Sequence, residues 1–108
     1  MQWSVETLNH DVDSEIESLP AALRARLLRL MEMVENLGLQ QMREPHVKHL
    51  EGKLWELRAK AQDGIARGIY VTASGRRVII LHVFEKKSQK TPLNALALAR
   101  KRMAMVKQ

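Results

Sequence analysis

Seven consecutive residues near the C-terminal end combine chemical groups that bind phosphate. The segment reads Lys86-Lys87-Ser88-Gln89-Lys90-Thr91-Pro92 and joins a predicted buried strand to a predicted helix. Its lysines supply positive charge, while the Thr91 hydroxyl and the first backbone amides of the helix can donate hydrogen bonds to an anion. An exposed turn with a charged rim has the same composition, so the segment by itself leaves both interpretations open.

Two arginines in predicted strands form a second candidate group. In Leu54-Trp55-Glu56-Leu57-Arg58, the alternation places Glu56 and Arg58 on one face, and Arg67 follows in the next strand. If helices cover the other face, we expect this face to be open and basic, so that an RNA strand can lie on it. A cross-strand ion pair between Glu56 and either arginine is the competing interpretation.

The aromatic residues and histidines are weaker candidates for a functional site. Tyr70 can stack on a base or lie in the core, whereas Trp55 is expected to fill the core. His46 and His49 are three residues apart but lack a third ligand in pattern, and the sequence contains no cysteine, so we expect neither a metal site nor another cofactor. His82 is expected to be a hydrogen-bonded core residue.

The charge is distributed unevenly along the chain. The formal net charge is +6, yet residues 1–18 contain five acidic and no basic residues, and residues 86–108 contain seven lysines and arginines and no acidic residue. Basic side chains release condensed counterions when they contact phosphates, so this end favours a polyanionic partner. A solvated helix face is the alternative.

The elements that must position these residues indicate an α+β fold in one domain over residues 1–108. We expect an antiparallel sheet of about four strands, with two N-terminal helices packed on it and a C-terminal helix. The predicted order is a strand at 2–6, a helix ending near Pro20, a helix stopped by Gly38, a loop over 39–53, strands at 54–58, 66–71 and 78–84, and a last helix to about Val106. Within it, Thr91 is expected to cap the last helix, Leu93 to lie on its apolar stripe, and the run from Val78 to Leu81 to be a central strand covered on both faces.

Membrane insertion and export are not expected. No apolar run approaches the ~20 residues that cross a bilayer, and the first residues lack the basic start and apolar stretch of a signal peptide. We therefore expect a cytoplasmic protein.

Several of these segments together resemble the phage-derived branch of the RelE/HigB toxins, the small basic members of type II toxin–antitoxin pairs. They are the LWELR stretch, Ile69-Tyr70, residues 79–92 and a helix with Ala99 and Arg102. The similarity extends from about Lys48 to Arg102, and its most specific parts are LWELR and KKSQKTP in combination.

The resemblance implies a RelE-like fold and a ribosome-dependent endoribonuclease that cuts mRNA in the decoding A site. Family members use the ribose 2′-OH to attack the adjacent phosphate, without a metal. Carried onto this sequence, the resemblance implies that Arg58 and Arg67 orient the phosphate and that Lys86, Lys87 and Lys90 form the basic segment before the last helix. We expect Arg58, Arg67, Lys87 and Lys90 to be catalytic. Lys87 or Lys90 is the candidate general base, since repulsion among clustered cations favours a neutral lysine, and stabilisation of the transition-state charge by the whole cluster is the alternative. The RNA-binding residues are expected to be Lys60, Tyr70, Lys86, Thr91 and Arg102.

The partners implied by the resemblance are a helix-turn-helix antitoxin similar to HigA, mRNA and the ribosome, with operator DNA contacted only through the antitoxin complex. Two alternatives remain open from the sequence. One is a non-catalytic nucleic-acid-binding module, and the other is a decayed toxin whose basic surface only docks an acidic antitoxin. Cleavage of mRNA on ribosomes distinguishes the toxin from both.

Overall fold

The protein is an α+β domain in the computed structural model, which describes residues 2–62, 64–86 and 90–107. The elements in chain order are β1 (Ser4–Thr7), α1 (His10–Glu17), α2 (Ala21–Leu37), a 3₁₀ turn (Leu39–Gln41), β2 (Val47–Glu51), β3 (Leu54–Ala61), β4 (Gly64–Ala73), β5 (Arg77–Lys86) and α3 (Leu93–Met103). The predicted fold class is confirmed. In the described ranges, no helix combines the length and apolar character that crossing a membrane requires.

The sheet has five strands in the order β1-β5-β4-β3-β2. The prediction of an antiparallel sheet of about four strands therefore needs two corrections. First, β1 pairs in parallel with β5, so the sheet is mixed. Second, β2 lies where a loop was expected, because a partly exposed edge strand with a register shift between His49 and Glu51 has no clear apolar alternation.

Helices cover both faces of the sheet. α1 and α2 pack on one face over a core that includes Leu27, Val78 and Ile80. α3 packs on the other face over a second core that includes Ile79 and Leu81. β5 thus lies between two other strands with its apolar run buried on both sides, as its sequence predicted.

The end predicted from the sequence is correct for α2 but not for α3. Gly38 ends α2 as predicted, with a φ of 94° that an L side chain rarely adopts. α3 begins at Leu93 and ends at Met103, short of Val106. Leu93 is 76% exposed, and the buried face of α3 instead carries Ala95, Ala99 and Arg102. The two alanines allow the helix to lie close to the sheet.

Candidate nucleic-acid interface

Strand register brings four basic residues to the face of the sheet on which α3 packs. Arg58 lies opposite Arg67, while Ile65 lies between Lys60 on β3 and Lys86 on β5. Directly opposed residues and alternate residues of a strand point to the same face. Arg58, Lys60, Arg67 and Lys86 therefore share one face, which we call the basic face. Lys60 and Lys86 are exposed.

A buried carboxylate holds the two arginines of the basic face. Glu56 has no exposed surface, and its Oε1 accepts a hydrogen bond of 2.7 Å from Nε of Arg58. Nη1 of Arg67, a residue that is also fully buried, lies 3.8 Å from the same oxygen. The ion-pair interpretation of the sequence is thus confirmed, but the pair is buried, so the loss of one partner leaves an uncompensated charge inside the protein.

Thr91 completes this network from the segment before α3. Its hydroxyl donates to Oε2 of Glu56 over 3.0 Å and accepts from Nη1 of Arg67 at 3.5 Å. The predicted capping role of Thr91 is wrong, because Pro92 occupies the N-cap position and no side chain caps the helix. Glu56, Arg58, Arg67 and Thr91 together form what we call the buried ion network.

Electrostatics show why Arg67 depends on Glu56. Burial lowers the pKa of Arg67 from its ordinary value, the negative charge of Glu56 raises it, and the positive charge of Arg58 lowers it further. An arginine is effectively always protonated in proteins. Arg67 is therefore a buried cation, and Glu56 is the carboxylate that compensates its charge.

The open basic face expected from the sequence is only partly present. Thr91 contacts both Glu56 and Arg67, and these two residues have no exposed surface, so Arg67 cannot contact a ligand in this conformation. The side chain of Arg58 is 13% exposed to solvent. Lys90, beside this region in sequence, is exposed. Lys87 lies outside the described residues.

Three of the residues expected to bind RNA are buried, and their assignments need correction. Tyr70 is only 1% exposed and lies in the core under α2, so it cannot stack on a base. The same burial raises its pKa to about 12. Arg102 donates to the carbonyl of Leu81 over 2.9 Å and pairs with Glu15. Thr91, the third, directs its hydroxyl into the buried ion network. Lys60 and Lys86 remain as exposed members of the set.

Trp55 and His49 were also assigned incorrectly or incompletely. Trp55, expected in the core, is 40% exposed, and its ring meets that of His49 edge to face at 4.9 Å. Nε2 of His49 lies 2.8 Å from the carbonyl of Gly52. Among the described residues, no three His, Asp or Glu side chains are arranged as a metal site.

Two features of the interface were missed in the sequence. One is the full burial of Glu56, whose pairing with the arginines was expected but not its position inside the protein. The other is Phe84, which lies directly opposite Arg67 and stacks on His82 with ring centroids 5.0 Å apart. The alternation of His82, Phe84 and Lys86 at the end of β5 was the signal that could have placed the ring on the basic face.

The chain is similar to a known family and to a solved structure. Residues 14–104 match the family described as phage derived protein Gp49-like (DUF891). A chain of the archaeal RelE–RelB complex from Pyrococcus horikoshii OT3 has the same fold with a TM-score of 0.60 and 26% sequence identity, over 83% of this chain and 100% of that chain. No curated protein matches this sequence. The family match includes every strand and helix that builds the basic face.

Proposed function

Because the chain belongs to the phage-derived Gp49-like family of RelE-like toxins, we propose that it is the toxin of a type II toxin–antitoxin pair and that it acts by cutting mRNA. The family and fold expected from the sequence are confirmed. The observation that carries the nuclease proposal is the basic face, where exposed lysines from β3 and β5 lie on the same face as an arginine that a buried carboxylate orients.

The proposed reaction is an attack of the ribose 2′-OH on the adjacent phosphate. A bond forms between the 2′ oxygen and phosphorus while the bond from phosphorus to the 5′ oxygen breaks, which leaves a cyclic phosphate and a 5′ hydroxyl. The proton of the 2′-OH passes to a general base, and the leaving oxygen takes up a proton. Negative charge accumulates on the phosphoryl oxygens in the transition state, so fixed cations accelerate the reaction.

We assign the contact with the scissile phosphate to Arg58, the arginine of the basic face that retains exposed surface. Arg67 is a positioning residue, because it contacts Glu56, which in turn orients Arg58. We assign contacts with neighbouring phosphates to Lys60, two residues beyond Arg58 on β3, and to Lys86, which lies across Ile65 from Lys60. Lys87 and Lys90, two of the clustered lysines before α3, remain the proposed sources of the general base, and no metal takes part in the proposed reaction.

The partner we propose is an antitoxin, as the assembly of the archaeal relative with RelB suggests. By resemblance it is a helix-turn-helix protein similar to HigA, and operator DNA is bound only through that complex. The proposed substrate is mRNA in the ribosomal A site, which places the activity in the cytoplasm.

Primer extension on mRNA incubated with the purified protein, with and without ribosomes, tests the nuclease proposal. We expect new 5′ ends only with ribosomes. Arg58→Ala should reduce their rate of appearance by about 10²-fold or more, the scale for removal of one donor to a developing anion. Arg26→Ala is the matched control, because Arg26 is an exposed arginine of α2 on the opposite side of the sheet.

One result would contradict the proposal, and a binding measurement would then identify the alternative. Intact mRNA in the presence of folded protein and ribosomes would exclude the nuclease. If such a protein still bound RNA with a steep salt dependence, it would be a non-catalytic nucleic-acid-binding module.

A further inference from the structure

A stacked aromatic pair lies on the basic face, at the end of β5, and has no part in the reaction described above. The rings of His82 and Phe84 have centroids 5.0 Å apart and an interplanar angle of 23°. Phe84, the single phenylalanine of the sequence, is only partly buried. It shares its face with Lys86, two residues further along β5 and about 7 Å away at strand spacing.

The His82 ring is held through the carboxylate of Glu15. Its Nδ1 lies 3.0 Å from Oε1 of Glu15 on α1. The same carboxylate accepts from the backbone amide of Val83 at 2.9 Å and from Nη1 of Arg102 on α3. β5 and α3 therefore hold the Glu15 carboxylate in place, Glu15 orients His82, and the His82 ring lies against one face of Phe84. A ring that is held in place while still partly exposed loses little conformational entropy when it binds a ligand.

We propose that Phe84, backed by His82, is a stacking platform for one unpaired base of the RNA. This inference rests on the proposed function and adds to it a site for the base beside the scissile phosphate. Single-stranded nucleic acid is bound where cations follow the backbone and aromatic rings stack on the bases. Phe84 has that setting, because the exposed Lys86 lies beside it on its own strand, and Arg58, which retains exposed surface, lies two strands away at the same register position.

Space for a ligand is present next to the pair. A cavity of about 270 Å³ opens between α1 and the end of β5, and its lining includes Ser14, Glu15 and Phe84. The hydroxyl and carboxylate groups there can accept hydrogen bonds from the N–H groups on the edge of a base. Stacking therefore supplies the affinity, and these polar groups lie close enough to the platform to contact the edge of the stacked base.

The test uses fluorescence anisotropy with the full chain and a short single-stranded RNA whose 2′ positions are methylated, so that it cannot be cut. A set of the same RNAs carries one abasic nucleotide at each successive position. We expect one abasic position to weaken binding to the wild type by about tenfold, within the range for loss of one stacked base. Phe84→Leu should bind intact RNA about as weakly as the wild type binds that abasic RNA. Its affinity should not fall further when it is given the abasic RNA.

Two further variants make the test specific. Phe84→Trp should retain affinity, because it keeps an aromatic surface. Trp55→Leu is the matched control, since Trp55 is an exposed ring beside a histidine on the other face of the sheet, and it should bind as the wild type does. The salt dependence should be unchanged in Phe84→Leu, because no phosphate contact is removed.

The proposal is overturned if no abasic position weakens binding of RNA to the wild type. This measurement needs no substitution, so it does not depend on whether a variant folds. It is also overturned if replacing intact RNA by the abasic RNA weakens binding to Phe84→Leu as much as it weakens binding to the wild type. Failure of the wild type to bind any of the RNAs would overturn it too. The proposed nuclease function is judged separately by primer extension on ribosomes. If the protein cuts mRNA but Phe84 is not needed for RNA binding, only the platform is rejected. If RNA binds at Phe84 but mRNA stays intact on ribosomes, only the nuclease is rejected.

Discussion

The hydroxyl of Thr91 donates to the carboxylate of Glu56 over 3.0 Å, although 35 residues separate them in the chain. The other oxygen of that carboxylate accepts from Arg58. The segment that leads into α3 therefore fixes the carboxylate that orients the arginine of the basic face. Folding of the C-terminal helix and assembly of the candidate site are thereby linked.

Thr91→Val tests this link, because valine has nearly the shape of threonine but no hydroxyl. One oxygen of the buried Glu56 then loses its donor, and the free energy of unfolding should fall by about 1–3 kcal/mol, the cost of an unsatisfied buried group. Urea denaturation measures the change. The control is Thr72→Val on the exposed side of β4, for which we expect a change within about 0.5 kcal/mol. Equal stability of the two variants would rule out the assigned role.

Glu56→Leu should be the more damaging substitution in the buried ion network. It leaves Arg67 as a buried charge without its carboxylate, which we expect to cost about 3–5 kcal/mol. The double variant Glu56→Leu with Arg67→Met should recover most of that loss, because it removes both buried charges and keeps an apolar filling. Urea denaturation of the single and double variants compares them, and additive losses would show that the two residues do not interact.

Glu15→Gln should loosen α3. Glu15 bridges α1, β5 and α3 through His82, the amide of Val83 and the guanidinium of Arg102. A neutral amide accepts these bonds less well, and Arg102 then lacks its counter-charge. Hydrogen exchange should become faster in α3 while the rest of the sheet keeps its protection. Glu17→Gln, on the exposed side of the same helix, is the control, and similar exchange in both variants would show that Glu15 does not hold α3.

The sequence predicted the parts of the fold that depend on local pattern. The apolar run from Val78 to Leu81 identified the central strand, and Gly38 identified the end of α2. It did not predict β2, because an edge strand has few buried residues to reveal its period. Local pattern also cannot show that Leu93 is exposed, since the buried stripe of α3 depends on which residues fit closely against the sheet.

The sequence named the basic residues of the basic face but not which of them are buried. Arg58, Lys60, Arg67 and Lys86 do share one face, as strand alternation allows. The burial of Arg67 and Tyr70 depends on contacts with distant residues, which no local spacing encodes. The same is true of Thr91, whose position before a helix is typical of a cap although its hydroxyl binds Glu56.

Tyr70 provides a pH-dependent test of the core, because it is the single tyrosine of the sequence. Burial raises its pKa to about 12 from an ordinary value of 10.0. Above the ordinary value, the unfolded chain loses the phenolic proton while the native protein keeps it, so the free energy of unfolding falls as pH rises through this range. The stabilisation is complete below the ordinary pKa and is lost towards the raised one. Ultraviolet absorbance of the phenolate should therefore appear near the raised pKa in native protein and near the ordinary pKa in urea. Tyr70→Phe should remove this absorbance and weaken the alkaline loss of stability, whereas native titration at the ordinary pKa would place Tyr70 at the surface.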